Sequence, residues 1–422
     1  MAQAGERRPI VVIGAGAAGI LAAIFAGGSG RPVLLLERTR DGGRKILISG
    51  GGRCNILPSA LGPERFVTAS SPNTLRKILG SWPLDQQRRF FESEVGLPLA
   101  LETSTGKLFP ASNSARQVRD RLLSLATRRG VTTRFQALVI GLEQPVRRET
   151  GSGAAAWTVR LDGGESIEAS RVILASGGLS VPTTGSDGIG LDLARRLGHT
   201  IHDTYPALTP LTAEPHPYPA LAGVSAVVTL RAPGAPRAQA TTRGGFLVTH
   251  RGFSGPAVLD ISHLAVLSRR AGGPLQPILV QWTDRGPDDW DRLLRGGRGG
   301  ILSVLRRQLP ARLAEALLAG VGIEADRALS QLRREERRRL VERLARDPLP
   351  WTGDEGYGKA EVTGGGVALG EIEPRTLESR IHPGLFLCGE ILDAFGPIGG
   401  YNFAWAWATG RAAGLGAAGP PI

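Results

Sequence analysis

The 422-residue chain is 41% hydrophobic and holds 59 glycines, about twice the usual share, which excludes a disordered polypeptide and calls for tight turns and close backbone approaches. Its length exceeds what one core commonly serves, so two or three domains are expected. Two cysteines, Cys54 and Cys388, without a CxxC pair, exclude a disulfide framework and a structural zinc site and point to a reducing, cytoplasmic setting. The net charge is +13, and only four of the 51 basic residues are lysines. Genome composition accounts for arginine over lysine. It does not account for the surplus of base over acid, which makes an anionic macromolecular partner an expectation.

Residues 10–30, IVVIGAGAAGILAAIFAGGSG, carry no charge and mimic a signal peptide or membrane anchor. The order of the glycines argues otherwise, and no stable membrane association is expected. A short β-branched strand, Ile10 to Ile13, leads into Gly14, Gly16 and Gly19, the GxGxxG spacing. Gly14 permits the tight turn, Gly16 lets a pyrophosphate approach the backbone, and Gly19 lets the helix pack close to the strand. The helix N-terminus at Ala17 and Ala18 offers N–H groups to phosphate. A second strand, Val33 to Leu36, ends in Glu37, eighteen residues past Gly19. A carboxylate there suits adenosine ribose hydroxyls and repels a 2′-phosphate.

The next stretch, GRKILISGGGRCNI at 43–56, puts Arg44, Lys45, Gly50 to Gly52, Arg53 and Cys54 within fourteen positions. Segment 107–134 is basic, with Arg116 and Arg119 among six arginines against Asp120 alone. RVILASGG at 171–178 reads as a further strand with a glycine pair. GSDGIG at 185–190 follows no strand directly, so no second nucleotide domain is read there. Residues 198–286 hold Pro-rich turns and alternating runs of an antiparallel β subdomain. Residues 287–354 read as helical, ending at Asp347-Pro348. From Arg333 to Arg346 there are seven arginines against three glutamates, and Arg333, Arg334, Arg337 and Arg338 are the candidate phosphate contacts. A solvated helix face is the alternative.

The C-terminal stretch HPGLFLCGEILDAFGPIGGYNFAWAWATGRAAG carries an apolar strand ending in Gly389-Glu390, then a glycine-rich turn and a small-residue helix. Such a strand returns to the N-terminal sheet in two-dinucleotide-binding flavoproteins, with its acid at the ribityl and phosphate part of FAD. FAD is therefore the expected cofactor. The expected fold is α/β: a Rossmann-like FAD domain from residues 1–197 and 355–422, with an inserted β-barrel-like subdomain and a helical subdomain. NADH or NADPH would dock only transiently.

The motifs VVIGAGAAG, GRKILISGGGRCN, GKLFPASNSA, VILASGGLSVPTTGSDGIGLDLARRLGH, FLVTHRGFSGPAVLDIS, VTGGGVALGEIEPRTLESR and GLFLCGEILDAFGPIGGYNFAWAWATGRAAG, in that order, resemble the BaiN/RdsA family of FAD-dependent oxidoreductases. The resemblance implies reduction of a carbon–carbon double bond, either uridine to 5,6-dihydrouridine in large-subunit ribosomal RNA or an alkene of a bile-acid-like small molecule. A flavin-containing RNA binder without chemistry is a third reading. The resemblance also implies that Arg38, Gly43, Arg44, Lys45, Gly51, Gly52, Arg53, Cys54 and Asn55 wrap the cofactor, with Ser176, Gly177, Gly178, Gly389, Glu390, Gly400, Tyr401 and Asn402 completing the site. Cys54 is the first candidate for the acid that protonates uracil C5, with Tyr401 and His250 as rivals.

Overall fold

The computed structural model describes residues 8–144, 156–236 and 240–419. The chain divides into two units, residues 1–204 with 362–422, and residues 205–361. Both junctions fall several residues later than the change of sequence texture suggested. No helix among the described residues is long and apolar enough to cross a membrane.

The first unit is built on a five-stranded parallel sheet in the order Leu385–Leu387, Arg171–Leu174, Ile10–Ile13, Val33–Leu36, Val131–Arg134. The three central strands are almost wholly buried. A sheet covered on both faces needs such continuous apolar runs rather than alternation. The α/β, Rossmann-like architecture expected of this region is present. Helix Ala17–Gly27 crosses the C-terminal helix Tyr401–Ala418 at very short range. A Cβ at Gly410 would lie 2.3 Å from the Ala18 carbonyl oxygen, and one at Gly414 would lie 2.4 Å from that of Ala22. The small residues of the last helix are thus a packing surface. Two small antiparallel sheets complete the unit, one from Leu57–Pro58, Lys107–Pro110 and Leu99–Glu102, the other from Val139–Glu143, Trp157–Leu161 and Ser166–Ala169.

The second unit contains a seven-stranded sheet whose edges are Asp347–Pro348 and Gly353–Asp354. Flat, seven strands would hold those edges about 29 Å apart. The short link from Pro348 to Gly353 reaches at most about 18 Å. The sheet must therefore curl, which gives the barrel-like form expected from the sequence. Helix Pro256–Arg270 packs on it, and helices Pro287–Gly296, Ile301–Arg306, Ala311–Ala319 and Arg334–Ala345 follow. Strand residues such as Val228, Phe246 and Val280 share one core with helix residues such as Trp290, Leu317 and Leu340. The β and helical segments thus share one hydrophobic core within the second unit.

Candidate active site

The three fingerprint glycines have three different surroundings. Gly14 sits at φ +99°, and a Cβ there would lie 2.7 Å from the Ala175 carbonyl oxygen. A Cβ at Gly19 would lie 1.8 Å from the Gly14 oxygen, so the helix rests directly on the strand turn. A Cβ at Gly16 meets nothing within 4 Å: this is open space at the start of helix Ala17–Gly27. That helix has no side-chain cap and no acid in its first turn, so its N–H groups and partial charge remain available to a phosphate. Glu37 is buried at the end of its strand. Its carboxylate accepts from the Ala15 N–H at 2.8 Å and from the Thr39 N–H and hydroxyl, both at 2.8 Å.

Arg38, Arg44, Lys45 and Arg53, expected to wrap the cofactor, are each paired with an acid. Lys45 Nζ donates to Glu390 at 2.5 Å and to Ser180 Oγ at 2.7 Å. Glu390 also accepts from Ser180 Oγ at 2.5 Å, and from the Thr363 N–H and hydroxyl at 3.0 and 2.9 Å. Lys45 and Glu390 neutralise one another and clasp the loops that follow three strands of the parallel sheet. Gly178 makes room for this clasp, since a Cβ there would lie 2.4 Å from Thr363 Oγ1. Arg44 pairs with Asp41 at 2.8 Å, Arg38 pairs with Asp187, and Arg53 pairs with Glu102 at 3.0 Å while lying over the Phe109 ring. Attraction for a pyrophosphate therefore falls to backbone N–H groups. Sequence reasoning missed Ser180 and Thr363, although VTGGG was singled out as a motif.

Around this clasp the chain leaves polar atoms without partners. Asn55 Oδ1 and Ser176 Oγ are buried and make no hydrogen bond within the protein. Leaving such atoms unmade costs about 1–3 kcal/mol each. Gly51 and Gly52 adopt φ of +67° and +84°, and a Cβ on either would meet nothing within 4 Å. Gly177 and Gly389 are also left-handed, at φ +77° and +84°, and the Gly389 N–H donates to Thr409. Orphaned acceptors, open glycines and an uncapped helix end, all by the carboxyl edge of a parallel sheet, fit FAD.

Two of the acid candidates, Cys54 and Tyr401, are buried in the same core, and only Tyr401 keeps some exposure, 6%. Cys54 is fully buried within the apolar core, and burial pushes its thiol up to about 12. A thiol so placed has no exposed surface from which to reach a substrate, which favours a packing role over the donor role expected of Cys54. Tyr401 opens the C-terminal helix behind Gly400, which sits at φ +96°. Its hydroxyl accepts from Arg65 Nη1 at 2.6 Å, and the Arg65 guanidinium lies 4.8 Å from the ring centroid. The phenol proton is left as a donor. Asn402 bonds both the N–H and the carbonyl of Gly396 at 2.9 Å, closing the GPIGG turn. Asp393, another residue missed, fixes the opposite side of that turn by accepting from the Ala69 and Ser70 N–H groups at 3.0 and 2.8 Å. His250 is exposed and lies in the second unit.

The HI0933-like protein Rossmann domain family matches residues 8–416. The chain belongs to that family. It is 32% identical over 413 residues to a ribosomal RNA dihydrouridine synthase of Escherichia coli (strain K12), covering 96% of each protein. It is also 32% identical over 420 residues to a 3-dehydro-bile acid delta(4,6)-reductase of Clostridium scindens, covering 98% of this chain and 99% of that one. A ribosomal RNA dihydrouridine synthase of Haemophilus influenzae is 30% identical over 416 residues, covering 96% and 97%. Membership agrees with the resemblance drawn from the motifs and makes this HI0933-like protein an FAD-dependent oxidoreductase. The reading of a flavin-containing RNA binder without chemistry is set aside.

The six arginines read as RNA contacts are not equivalent. Arg119 has a side chain only 13% exposed, bonds Asp120 at 2.5 Å and packs against Gly43, where a Cβ would lie 2.5 Å from its Cγ. Arg337 is 15% exposed and bonds Asp291 at 2.8 Å. Both are mostly buried and paired with acids, which argues against their reading as phosphate contacts. Arg116, Arg333, Arg334 and Arg338 are exposed, and among the described residues their guanidinium groups make no ion pair.

Proposed function

We propose that this protein reduces the C5–C6 double bond of uridine in ribosomal RNA of the large subunit, in the cytoplasm, with NADH or NADPH as electron source. The observation that carries the reading is the open, partly unsatisfied cradle around Gly16, Asn55 and Ser176 in a family member whose named relatives include two ribosomal RNA dihydrouridine synthases. Bound FAD supplies hydride for such a reduction, and the protein supplies orientation and a proton. Gly14, Gly16 and the Ala17–Gly27 helix end would hold the pyrophosphate of a bound FAD, with Glu37 toward its ribose. The Lys45–Glu390–Ser180–Thr363 clasp holds together the loops that follow the sheet strands. Tyr401 gives its phenol proton to C5, and Arg65 stabilises the oxygen left behind. The uracil leaves its stack to reach the site.

A small-molecule alkene reductase is the second reading, favoured by the bile-acid reductase at the same 32% identity. Identity does not separate the two. The net charge of +13 supports a polyanionic substrate over an apolar one.

The test is to map dihydrouridine in ribosomal RNA from a deletion strain complemented with the parent protein or with Tyr401→Phe. Dihydrouridine should vanish on deletion and return with the parent. With Tyr401→Phe its formation should fall roughly a hundredfold while NADH still reduces the flavin. Ribosomal RNA with undiminished dihydrouridine in the deletion strain would overturn the proposal.

A further inference from the structure

The second unit contains an open cavity of about 750 Å³ between the turn Gly320-Val321-Gly322 and helix Arg334–Ala345. Its charged lining is Arg338, Arg339, Arg343 and Arg346 against Glu335 and Glu342. The four guanidiniums play different parts. Arg343 is anchored by Asp347 at 2.7 Å and by the Tyr218 hydroxyl. Gly320 admits it, since a Cβ there would already lie 3.2 Å from its Nη2. Arg346 pairs with Glu342 at 3.1 Å in an exposed contact of little worth, which a competing anion displaces readily. Arg338 and Arg339 are exposed and, among the described residues, make no ion pair. Their neighbour Arg337 is occupied by Asp291.

One fixed guanidinium, one easily released and two uncommitted ones thus share a concave surface. Guanidinium forks match phosphate oxygens in charge and geometry. The volume falls in the range of a whole ligand site, about 300–1,000 Å³, far more than one phosphate needs. An extended polyanion suits it better than a lone anion.

We propose that this groove binds the sugar–phosphate backbone of the RNA substrate, with Arg338 and Arg339 as the phosphate contacts. The proposal rests on the RNA reading above and assigns its backbone contact to one surface of the second unit.

The test uses the FAD-loaded full chain and a fluorescein-labelled 20-nucleotide oligouridine, with affinity measured by anisotropy across a salt series. Polyglutamate serves as a second probe. Each phosphate contact on a single strand contributes about 0.7 to the log–log salt slope. Arg338→Ala/Arg339→Ala should therefore flatten the slope by about 1.4 and weaken binding roughly 25-fold at 0.1 M salt. Arg195→Ala, an exposed arginine already paired with Asp192 and outside the groove, should match the parent, and all variants should keep their flavin absorbance. If the parent binds oligouridine and the double variant shows the same slope, the groove is wrong while the RNA reading stands. If the parent shows no salt-dependent oligouridine binding, groove and RNA reading fall together. Polyglutamate binding that depends on Arg338 and Arg339, with no oligouridine binding, would make the groove an acidic-protein site and overturn the proposal.

Discussion

Gly16→Ala and Gly19→Ala separate cofactor approach from packing within one turn. At Gly19 the added methyl would lie 1.8 Å from the Gly14 oxygen, with the Ala175 Cβ 3.2 Å away, so helix and strand must part by more than about 1 Å. The obstacle is backbone rather than a movable side chain, so the cost lies toward the upper end of the overpacking range of about 1–3 kcal/mol. Alanine's better helix propensity returns about 1 kcal/mol. A net loss of about 2 kcal/mol lowers the urea midpoint by roughly 0.7 M if the slope is about 3 kcal/mol per M. That loss should appear with or without FAD. Gly16 has φ −80° and ψ −171°, which alanine adopts without strain, and its methyl meets no protein atom. Apoprotein stability should change by no more than about 0.5 kcal/mol.

The methyl at position 16 instead occupies the space a pyrophosphate would use. Losing a charge-assisted hydrogen bond costs about 1.5–3 kcal/mol, which is a roughly 10- to 150-fold rise in the FAD dissociation constant. Urea melts of the apoprotein and fluorescence titration with FAD give the two readouts. Unchanged FAD affinity in Gly16→Ala would refute the cradle. Parent-like stability in Gly19→Ala would refute the helix–strand contact.

Cys54→Ala should keep FAD content and turnover within about threefold and cost about 1 kcal/mol as a small core truncation; the parent thiol should resist iodoacetamide at pH 8 until the chain unfolds. Loss of dihydrouridine formation with flavin reduction intact would return Cys54 to catalysis. Burial raises the Asp347 carboxyl from 3.8 to about 6 against the opposing pull of Arg343, so the folded state holds an extra proton between those values. Its contribution to stability is therefore full below about pH 3.8 and declines by up to about 3 kcal/mol as pH rises through 6; a stability difference between parent and Asp347→Asn that stays constant from pH 4.5 to 7 would contradict this.

The local geometry at Gly14, Gly16 and Glu37 was legible because the backbone dictates it within some thirty residues. A tight turn, an open approach and an acid at the strand end leave marks in local spacing. The clasp was not legible. Lys45 and Glu390 are 345 positions apart, and nothing near either one names its partner. The same holds for Arg119 beside Asp41 and for Arg337 beside Asp291. Cys54 misled for a different reason. It follows three left-handed glycines and is itself at φ +61°, so its loop looks like an exposed ligand-binding segment. The backbone of that loop is open at Gly51 and Gly52 while the thiol turns inward. Period and composition carry no information about which way one residue of a loop points.

Net charge is a related case. A surplus of +13 describes the whole chain, whereas a polyanion meets only cations that acids have left uncommitted. In the basic segment 107–134, Arg119 is held by Asp120, Arg129 by Glu94 and Arg134 by Glu165, while Arg121 donates to the Gly96 carbonyl. Arg116 and Arg128 remain exposed without an ion pair among the described residues. On helix Arg334–Ala345 the uncommitted set includes Arg334, Arg338 and Arg339. Pairing thus thins a broad basic signal to a few positions. In general the uncommitted cations, rather than the total, set how steeply affinity for a polyanion falls with salt.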